Sequence, residues 1–181
     1  PLPTPVISAP GGATSWPPQA TLGSASDAYV YAFDPLDRTN WRCYLGGSSH
    51  DGGYDVRAKG TSIYVLGTTQ STDFTTLNEP GAFNDNTFGG TTDAFLARFS
   101  NTYTCRWSTY FGGTGNDMAA RNGLAVSPLN GDVYIIGVLF NPPTTPTGFP
   151  IQAHANGVAY FDNTTGPGRN GFIAHFKGGT D

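Results

Sequence analysis

Histidine, serine and aspartate could carry catalysis in this chain, but their spacing does not favour it. His50, His154 and His175 lie in a predicted turn, loop and strand, and no His-x-x-x-His or Cys-x-x-Cys spacing indicates a zinc site. Ser49, His50 and Asp51 are consecutive in a turn, where adjacent side chains cannot form a proton relay. Neither a Gly-x-Ser-x-Gly motif nor a P-loop occurs. We therefore predict a non-enzymatic protein without a cofactor.

Asp51 and Asp117 close two matching turns, which read Gly-Ser-Ser-His-Asp and Gly-Thr-Gly-Asn-Asp. Oxygen-rich turns of this kind can hold calcium. The alternative is an Asx turn, in which the carboxylate accepts hydrogen bonds from backbone N–H groups. Each turn offers few carboxylates for a calcium cage, so the Asx turn is favoured and no metal site is predicted.

The two turns belong to an internal repeat. The segment Trp-Arg-Cys-Tyr-Leu-Gly-Gly at 41–47 returns 66 positions later, at 107–113, as Trp-Ser-Thr-Tyr-Phe-Gly-Gly. Upstream, Asp-Ala-Tyr-Val-Tyr-Ala-Phe at 27–33 matches 93–99 and, more loosely, 170–176. Downstream, Ile63–Gly67 matches Val133–Gly137, and Tyr54–Val56 is aligned with Leu124–Val126, both at an offset of 70. The increase in offset from 66 to 70 places about four extra residues in the second copy, near Met118–Asn122. Segments that recur in this order indicate repeated strands.

These segments resemble the bacterial extracellular β-propeller repeat family known as SBBP. The resemblance covers about residues 27 to 177, with two departures: Thr75 stands where the family has Pro after Asp-Phe, and the third Asp-Ala-Phe segment has become Asn-Gly-Phe at 170–172. It implies propeller blades and an extracellular protein, although this chain is too short for a closed propeller. The matching segments are Tyr-Phe-Gly-Gly (110–113), Gly-Asn-Asp (115–117), Asp-Val-Tyr-Ile-Ile-Gly (132–137), Gly-Phe-Pro (148–150) and Asp-Ala-Phe-Leu-Ala-Arg (93–98).

We predict an all-β fold of propeller-like blades of four-stranded antiparallel sheets, about two blades, incomplete or open. The middle four of nine strands should form one complete blade, the first two half a blade, and the last three a blade without its outermost strand. A Pro-rich arm or linker (1–26) precedes the repeat domain (27–181), whose copies span about 27–92 and 93–169 with a partial third at 170–177. The predicted strands are 27–34, 40–46, 54–58, 62–67, 93–99, 105–111, 123–127, 132–138 and 170–177.

Side-chain alternation gives two further expectations. Tyr29, Tyr31 and Phe33 should lie on the same type of face as Phe95, Ala97 and Phe99, and both faces of these strands should be buried because blades stack on both sides. The Gly-Gly pairs at 46–47 and 112–113 should include a residue with positive φ, which glycine adopts without steric cost. The long connections at 68–92 and 139–169 carry apolar anchors and should pack over a surface.

Cys43 and Cys105 form an even count, which invites a disulfide. Cys43 aligns with Thr109 and Cys105 with Thr39, so both thiols are predicted on equivalent faces that do not face each other. An intrachain bridge needs α carbons within about 7 Å, which this placement disfavours. Free buried thiols and an intersubunit bridge stay open as alternatives.

Composition excludes several classes of partner. The net charge is −4, only 12% of residues are charged, and no basic stripe exists, so neither nucleic acid nor an anionic membrane is an expected partner. No apolar run approaches the roughly 18 residues that span a bilayer, which argues against membrane insertion. The bias to Thr, Asn and Gly suits an exported protein, so we expect an extracellular or cell-surface location. Asn163 lies in an Asn-x-Thr sequon and is a candidate glycosylation site.

Two functions remain after these exclusions. The leading hypothesis is an extracellular structural protein that assembles with copies of itself into a filament or surface appendage, because stacked repeats need neighbours to bury their faces. The alternative is a glycan-binding or adhesive module of a larger β-propeller. For the first hypothesis, Val6, Ile7 and Trp16 of the arm are candidate subunit contacts, with Phe172 and Phe176 on the open edge of the last blade.

Deleting residues 1–20 tests the arm. If Val6–Ala9 adds to the open strand of the next subunit, the truncated chain should fold but not assemble in the wild-type manner. Circular dichroism should report unchanged folding, and electron microscopy should report the loss of the regular polymer. A truncated chain that builds the same polymer would make the arm a linker only.

Overall fold

The computed structural model describes residues 25–32, 41–140, 149–150 and 168–178. Within these residues there are nine β-strands and no helix, which confirms the predicted all-β class. The candidates Val6, Ile7, Trp16 and Asn163 lie outside the described residues. The strands are β1 (Ala28–Ala32), β2 (Trp41–Leu45), β3 (Asp51–Lys59), β4 (Ser62–Thr69), β5 (Asp93–Ser100), β6 (Cys105–Phe111), β7 (Asn116–Val126), β8 (Val133–Phe140) and β9 (Arg169–Phe176).

The nine strands form three antiparallel sheets. Sheet 1 is β1-β2, sheet 2 is β3-β4-β5-β6 and sheet 3 is β7-β8-β9, and none of them closes into a barrel. This division into two, four and three strands confirms the predicted grouping. Strands β3 and β7 begin earlier than predicted, at Asp51 and Asn116, because residues after the Gly-Gly turns already pair with the ends of β4 and β8.

Strands β4, β5 and β6 of sheet 2 are buried on both faces. Along β5, Phe95 and Phe99 belong to the core between sheets 1 and 2, whereas Ala94 and Leu96 belong to the core between sheets 2 and 3. Phe95 is 0% exposed, as its predicted two-sided burial requires. The two sets alternate because successive side chains of a strand point to opposite faces.

The contact between sheets follows one rule. In the first core, Phe95 and Phe99 of sheet 2 pack against Val30 and Leu45 of sheet 1. In the second, Phe172, Ala174 and Phe176 of sheet 3 pack against residues of sheet 2 that include Leu66, Leu96 and Phe111. The face that carries the phenylalanine of the Asp-Ala-Phe segment thus packs on the preceding sheet. Tyr29 occupies this position in sheet 1 and is 48% exposed, since no described sheet precedes it.

The connection from β4 to β5 is packed, as predicted. Phe74 is buried and stacks on Phe95 at a centroid distance of 4.7 Å. Leu77 exchanges two 3.0 Å backbone hydrogen bonds with Ser108 of β6, and the backbone N–H of Tyr110 donates to the carbonyl of Asp85 at 3.1 Å. The connection therefore covers the outer edge of sheet 2, which would otherwise expose unpaired backbone groups.

The alignment predicted for β3 and β7 is wrong by two residues. Val56 pairs with Val65, and Leu124 pairs with Ile135, so Leu124 is the counterpart of Val56 and not of Tyr54. Two of the four extra residues lie in a bulge between Ala119 and Leu124. The other two lengthen the following turn, which joins Val126 to Val133 where the first copy joins Ala58 to Ile63.

The predicted separation of the two cysteines is also wrong. A bulge at Arg106 makes Phe99 pair with Cys105 while Arg98 pairs with Trp107, so Cys105 switches to the other face of β6. Cys43 and Cys105 consequently share the core between sheets 1 and 2, as buried free thiols. Burial raises the pKa of each thiol to about 12, and the two thiols also interact electrostatically, which keeps both protonated and unreactive.

A pair of repeat-matched variants tests the stacking rule. Phe95→Ala should lower the free energy of unfolding by about 3–5 kcal/mol, because it opens a cavity in a two-sided core. Tyr29→Ala at the equivalent but exposed position should change it by less than about 0.5 kcal/mol in the dilute, unassembled protein. Urea unfolding followed by tryptophan fluorescence measures both. Equal losses in the two variants would contradict the rule.

Candidate functional site: the aspartate–glycine turns and the outer sheet faces

An aspartate–glycine turn connects each sheet to the next. Where sheet 1 meets sheet 2, Oδ2 of Asp51 accepts hydrogen bonds from the backbone N–H of Gly47 and the hydroxyl of Ser71, both at 2.8 Å. Where sheet 2 meets sheet 3, Oδ2 of Asp117 accepts one from Gly113 N–H at 2.6 Å. Both carboxylates are therefore held by the backbone of the preceding Gly-Gly turn. The donor lies four residues before the aspartate, whereas in an Asx turn the side chain bonds the backbone two residues after it.

The aspartate backbones complete the same connection. The N–H of Asp51 donates to the carbonyl of Ser26 at 2.7 Å, and the N–H of Asp117 donates to that of Thr92 at 2.7 Å. Each bond accompanies a parallel bridge, Ser26 to His50 in one case and Thr92 to Asn116 in the other. Strands β1 and β5 are thereby tied at their starts to β3 and β7, the first strands of the following sheets.

Glycine is required in these turns for space, not for backbone conformation. The predicted positive φ is wrong, since none of the four glycines at 46–47 and 112–113 is among the described residues with positive φ. Instead, a Cβ on Gly46 would lie 2.7 Å from Oδ2 of Asp51, and one on Gly112 would overlap the carboxylate of Asp93. An alanine would displace a buried carboxylate, so its cost comes from steric overlap.

Burial determines the ionisation of these aspartates. Asp93 is fully buried, and desolvation, with smaller repulsion from Asp117 and Asp85, raises the pKa of its carboxyl group to about 7 despite a hydrogen bond from Gly89. Desolvation also raises the pKa of Asp51 and that of Asp117. Among the described residues, Oδ1 of Asp93 has no hydrogen-bond partner. This agrees with a carboxyl group that stays protonated until the pH approaches 7.

The outer face of sheet 3 is apolar and exposed. Ile136 and Ile173 are cross-strand partners, and Ile173 is 78% exposed. Tyr134 lies opposite His175, and their rings stack at 4.7 Å with planes 9° apart. The solvent-facing position predicted for His175 is confirmed, and its Nε2 lies 2.8 Å from Oδ2 of Asp132. We call this surface the isoleucine face; its members are Ala125, Tyr134, Ile136, Ile173 and His175.

The outer face of sheet 1 is aromatic. Tyr29 is opposite Tyr44 across the strand pair, and their ring centroids are 5.2 Å apart. Tyr31 lies 5.8 Å from Tyr29 on the same strand and is opposite Arg42. We call this surface, made of Tyr29, Tyr31, Arg42 and Tyr44, the tyrosine face.

The candidate contact residues of the last strand point inward. Phe172 and Phe176 each lie 5.5 Å from the ring of Phe111, so both side chains belong to the core between sheets 2 and 3. Their backbone lies on β9, which pairs only with β8 among the described strands. The side chains exposed on this strand are those of Ile173 and His175, which the sequence prediction did not select.

A polar cleft of about 240 Å³ opens near the ends of β3, β4 and β7. Its lining includes Ser26, His50, Tyr54, Gln70 and Asn116, and Nδ1 of His50 lies 3.0 Å from the hydroxyl of Ser26. Among the described residues no cluster of three or more His, Cys, Asp or Glu side chains could hold a metal ion. Hydroxyl, amide and aromatic groups in one cleft are suited to a small polar ligand.

Comparison with known proteins leaves the family unassigned. No family model matches the chain, and no curated protein matches it significantly. Across the described part of the chain, no helix is long and apolar enough to cross a membrane.

The buried aspartates make folding stability depend on pH. Because the pKa of Asp93 rises from about 4 in the unfolded chain to about 7 in the folded one, the fold favours the protonated form. The contribution of Asp93 to stability should therefore be greatest below about pH 4 and fall, by on the order of 4 kcal/mol, as the pH rises to 7. Asp93→Asn should remove much of this fall, as measured by melting temperature between pH 4 and 8.

Asp132→Asn is the control for this measurement. Hydrogen bonds from Gly178 N–H and His175 lower the pKa of the partly buried Asp132, so its contribution to stability is present above the unfolded pKa and lost in acid. This variant should retain the wild-type loss between pH 4 and 7. A wild-type melting temperature that rises over that range, unchanged by Asp93→Asn, would contradict an acid with a raised pKa.

Proposed function

We propose that the protein is a non-enzymatic, extracellular structural subunit that assembles with copies of itself into a filament or surface appendage. Its sheets correspond in this proposal to propeller-like blades of the SBBP type, one complete and two incomplete. The observation that carries the proposal is the pair of outer faces at the two ends of the stack of sheets, one aromatic with Tyr29 48% exposed and one largely aliphatic with Ile173 78% exposed.

Three features support assembly at the ends of the stack. Ile136 and Ile173 place adjacent aliphatic side chains in solvent, where burial stabilises by about 25 cal/mol per Å² of apolar surface. The β6 edge of sheet 2 is covered by the β4–β5 connection, so a strand of another copy cannot readily add to that edge. Strand β9, in contrast, pairs on one side only among the described strands, which leaves an edge to which the predicted arm could add.

The polar cleft favours a second candidate, a glycan-binding or adhesive module. Tyr54 offers a ring face, and His50, Gln70 and Asn116 offer hydrogen-bonding groups of the kind that saccharides engage. Arg121, however, lies over the Tyr54 ring at 5.1 Å and occupies one side of it. We therefore place this candidate second.

Electron microscopy and light scattering of the purified full chain decide between the two. Assembly predicts open-ended polymers whose scattering rises above a threshold concentration and is unchanged by added monosaccharide. A monodisperse particle that stays monomeric at high concentration and binds glycans on an array would overturn the assembly proposal. In that case, His50→Ala and Gln70→Ala should abolish the binding.

A further inference from the structure

We infer that copies of this chain join head to tail, with the tyrosine face of one copy packed on the isoleucine face of the next. The inference rests on the proposed function, because it specifies the partner surface for self-assembly. It assigns the contact to the faces of the terminal sheets, in addition to any role of the arm.

The same contact already occurs twice inside the molecule. Phe95 and Tyr110 of sheet 2 face sheet 1, and Phe172 and Phe176 of sheet 3 face sheet 2. In both cases a face with aromatic residues packs on the preceding sheet. The face that it covers is aliphatic in sheet 1 and mixed in sheet 2, where Leu66 and Leu96 lie beside Phe111. The chain thus contains two examples of the proposed interface, both well buried.

Strand register shows that the outer faces occupy the two positions of that interface that face no other described sheet. Tyr29 pairs with Tyr44 as Phe95 pairs with Tyr110, so the tyrosine face corresponds to the side of sheet 2 that packs on sheet 1. It has the composition of a face that packs on a preceding sheet.

The isoleucine face corresponds to the other side of the interface. Ile136 pairs with Ile173 as Leu66 pairs with Leu96, and Tyr134 pairs with His175 as Tyr64 pairs with Arg98. Leu66 and Leu96 are fully buried under sheet 3, whereas Ile173 is 78% exposed. In the proposed contact, a second copy covers the isoleucine face with the surface that corresponds by register to the one that sheet 3 presents to sheet 2.

A contact between two different faces has a defined geometry. Each copy carries both faces, so every addition leaves one of each free, and growth continues unless the rotation per copy closes a ring. A contact between identical faces would instead stop at a dimer. The two possibilities can be separated by blocking one face at a time.

The test uses Tyr29→Lys and Ile173→Lys in the full chain. Both side chains are substantially exposed, so each variant should keep the wild-type melting temperature while placing an unpaired ammonium in the contact. Each variant alone should raise the concentration needed for assembly by on the order of 100-fold in sedimentation. Leu129→Lys, at a 93% exposed position in the β7–β8 turn, is the control and should assemble like the wild type.

Mixing the two variants tests the head-to-tail arrangement. One retains an intact isoleucine face and the other an intact tyrosine face, so an equimolar mixture should give a 1:1 heterodimer and no polymer. A dimer formed by either variant alone would overturn the arrangement in favour of identical faces. Polymers formed by both variants as readily as by wild type would overturn the role of the faces and leave self-assembly standing.

The same assay distinguishes a failure of the face contact from a failure of the proposed function. Removing residues 1–20 from the Ile173→Lys variant should leave the heterodimer intact; its loss would identify the arm as the occupant of the isoleucine face and overturn the inference. A wild-type chain that is monomeric at every concentration would overturn both the assembly function and the face contact.

Discussion

The burial of aspartate carboxylates against Gly-Gly turns is the constraint on which the arrangement of sheets depends. Asp51 and Asp117 accept hydrogen bonds from the turn that ends one sheet while their own backbones begin the next. A buried carboxylate without such donors costs several kcal/mol, so the turn and the sheet that follows it must remain together. Because burial raises the pKa of these carboxyl groups, the folded state favours their protonated form.

The cores between the sheets depend on this connection because they are made of faces from different sheets. Phe95 contacts sheet 1 and Leu96 contacts sheet 3, so a single strand contributes to both cores. The β4 and β5 strands of sheet 2 have no solvent face, and their sequences are nearly continuous apolar runs. Alternation of polar and apolar residues therefore cannot fix their register, and the tight turns and buried aspartates at the strand ends must do so.

The repeat in the sequence was sufficient to predict the strands and their grouping, because the Asp-Ala-Phe and Gly-Gly segments recur in order. The repeat did not predict the β-bulges, in which an inserted residue moves the side chains beyond it to the opposite face of the strand. The bulge at Arg106 brought Cys105 into the core with Cys43, and the bulge before Leu124 shifted its alignment by two residues. The bulge at Arg106 contains no glycine, and although Gly123 lies in the other bulge, it does not by itself reveal how many residues are inserted. The sequence predicted the Gly-Gly turns. It did not predict why glycine is required there, because the steric overlap depends on where the aspartate carboxylates lie in the folded chain.

Because the sheets differ in burial, they should unfold in a defined order. The amides of β4 and β5 lie in the centre of a four-stranded sheet with a core on each side, so they should exchange with solvent only on global unfolding. The two strands of sheet 1 share a single core and bury fewer side chains. Sheet 1 is therefore the unit that can detach while the rest of the fold persists, and its departure would bring both thiols, Cys43 and Cys105, into contact with solvent oxidants.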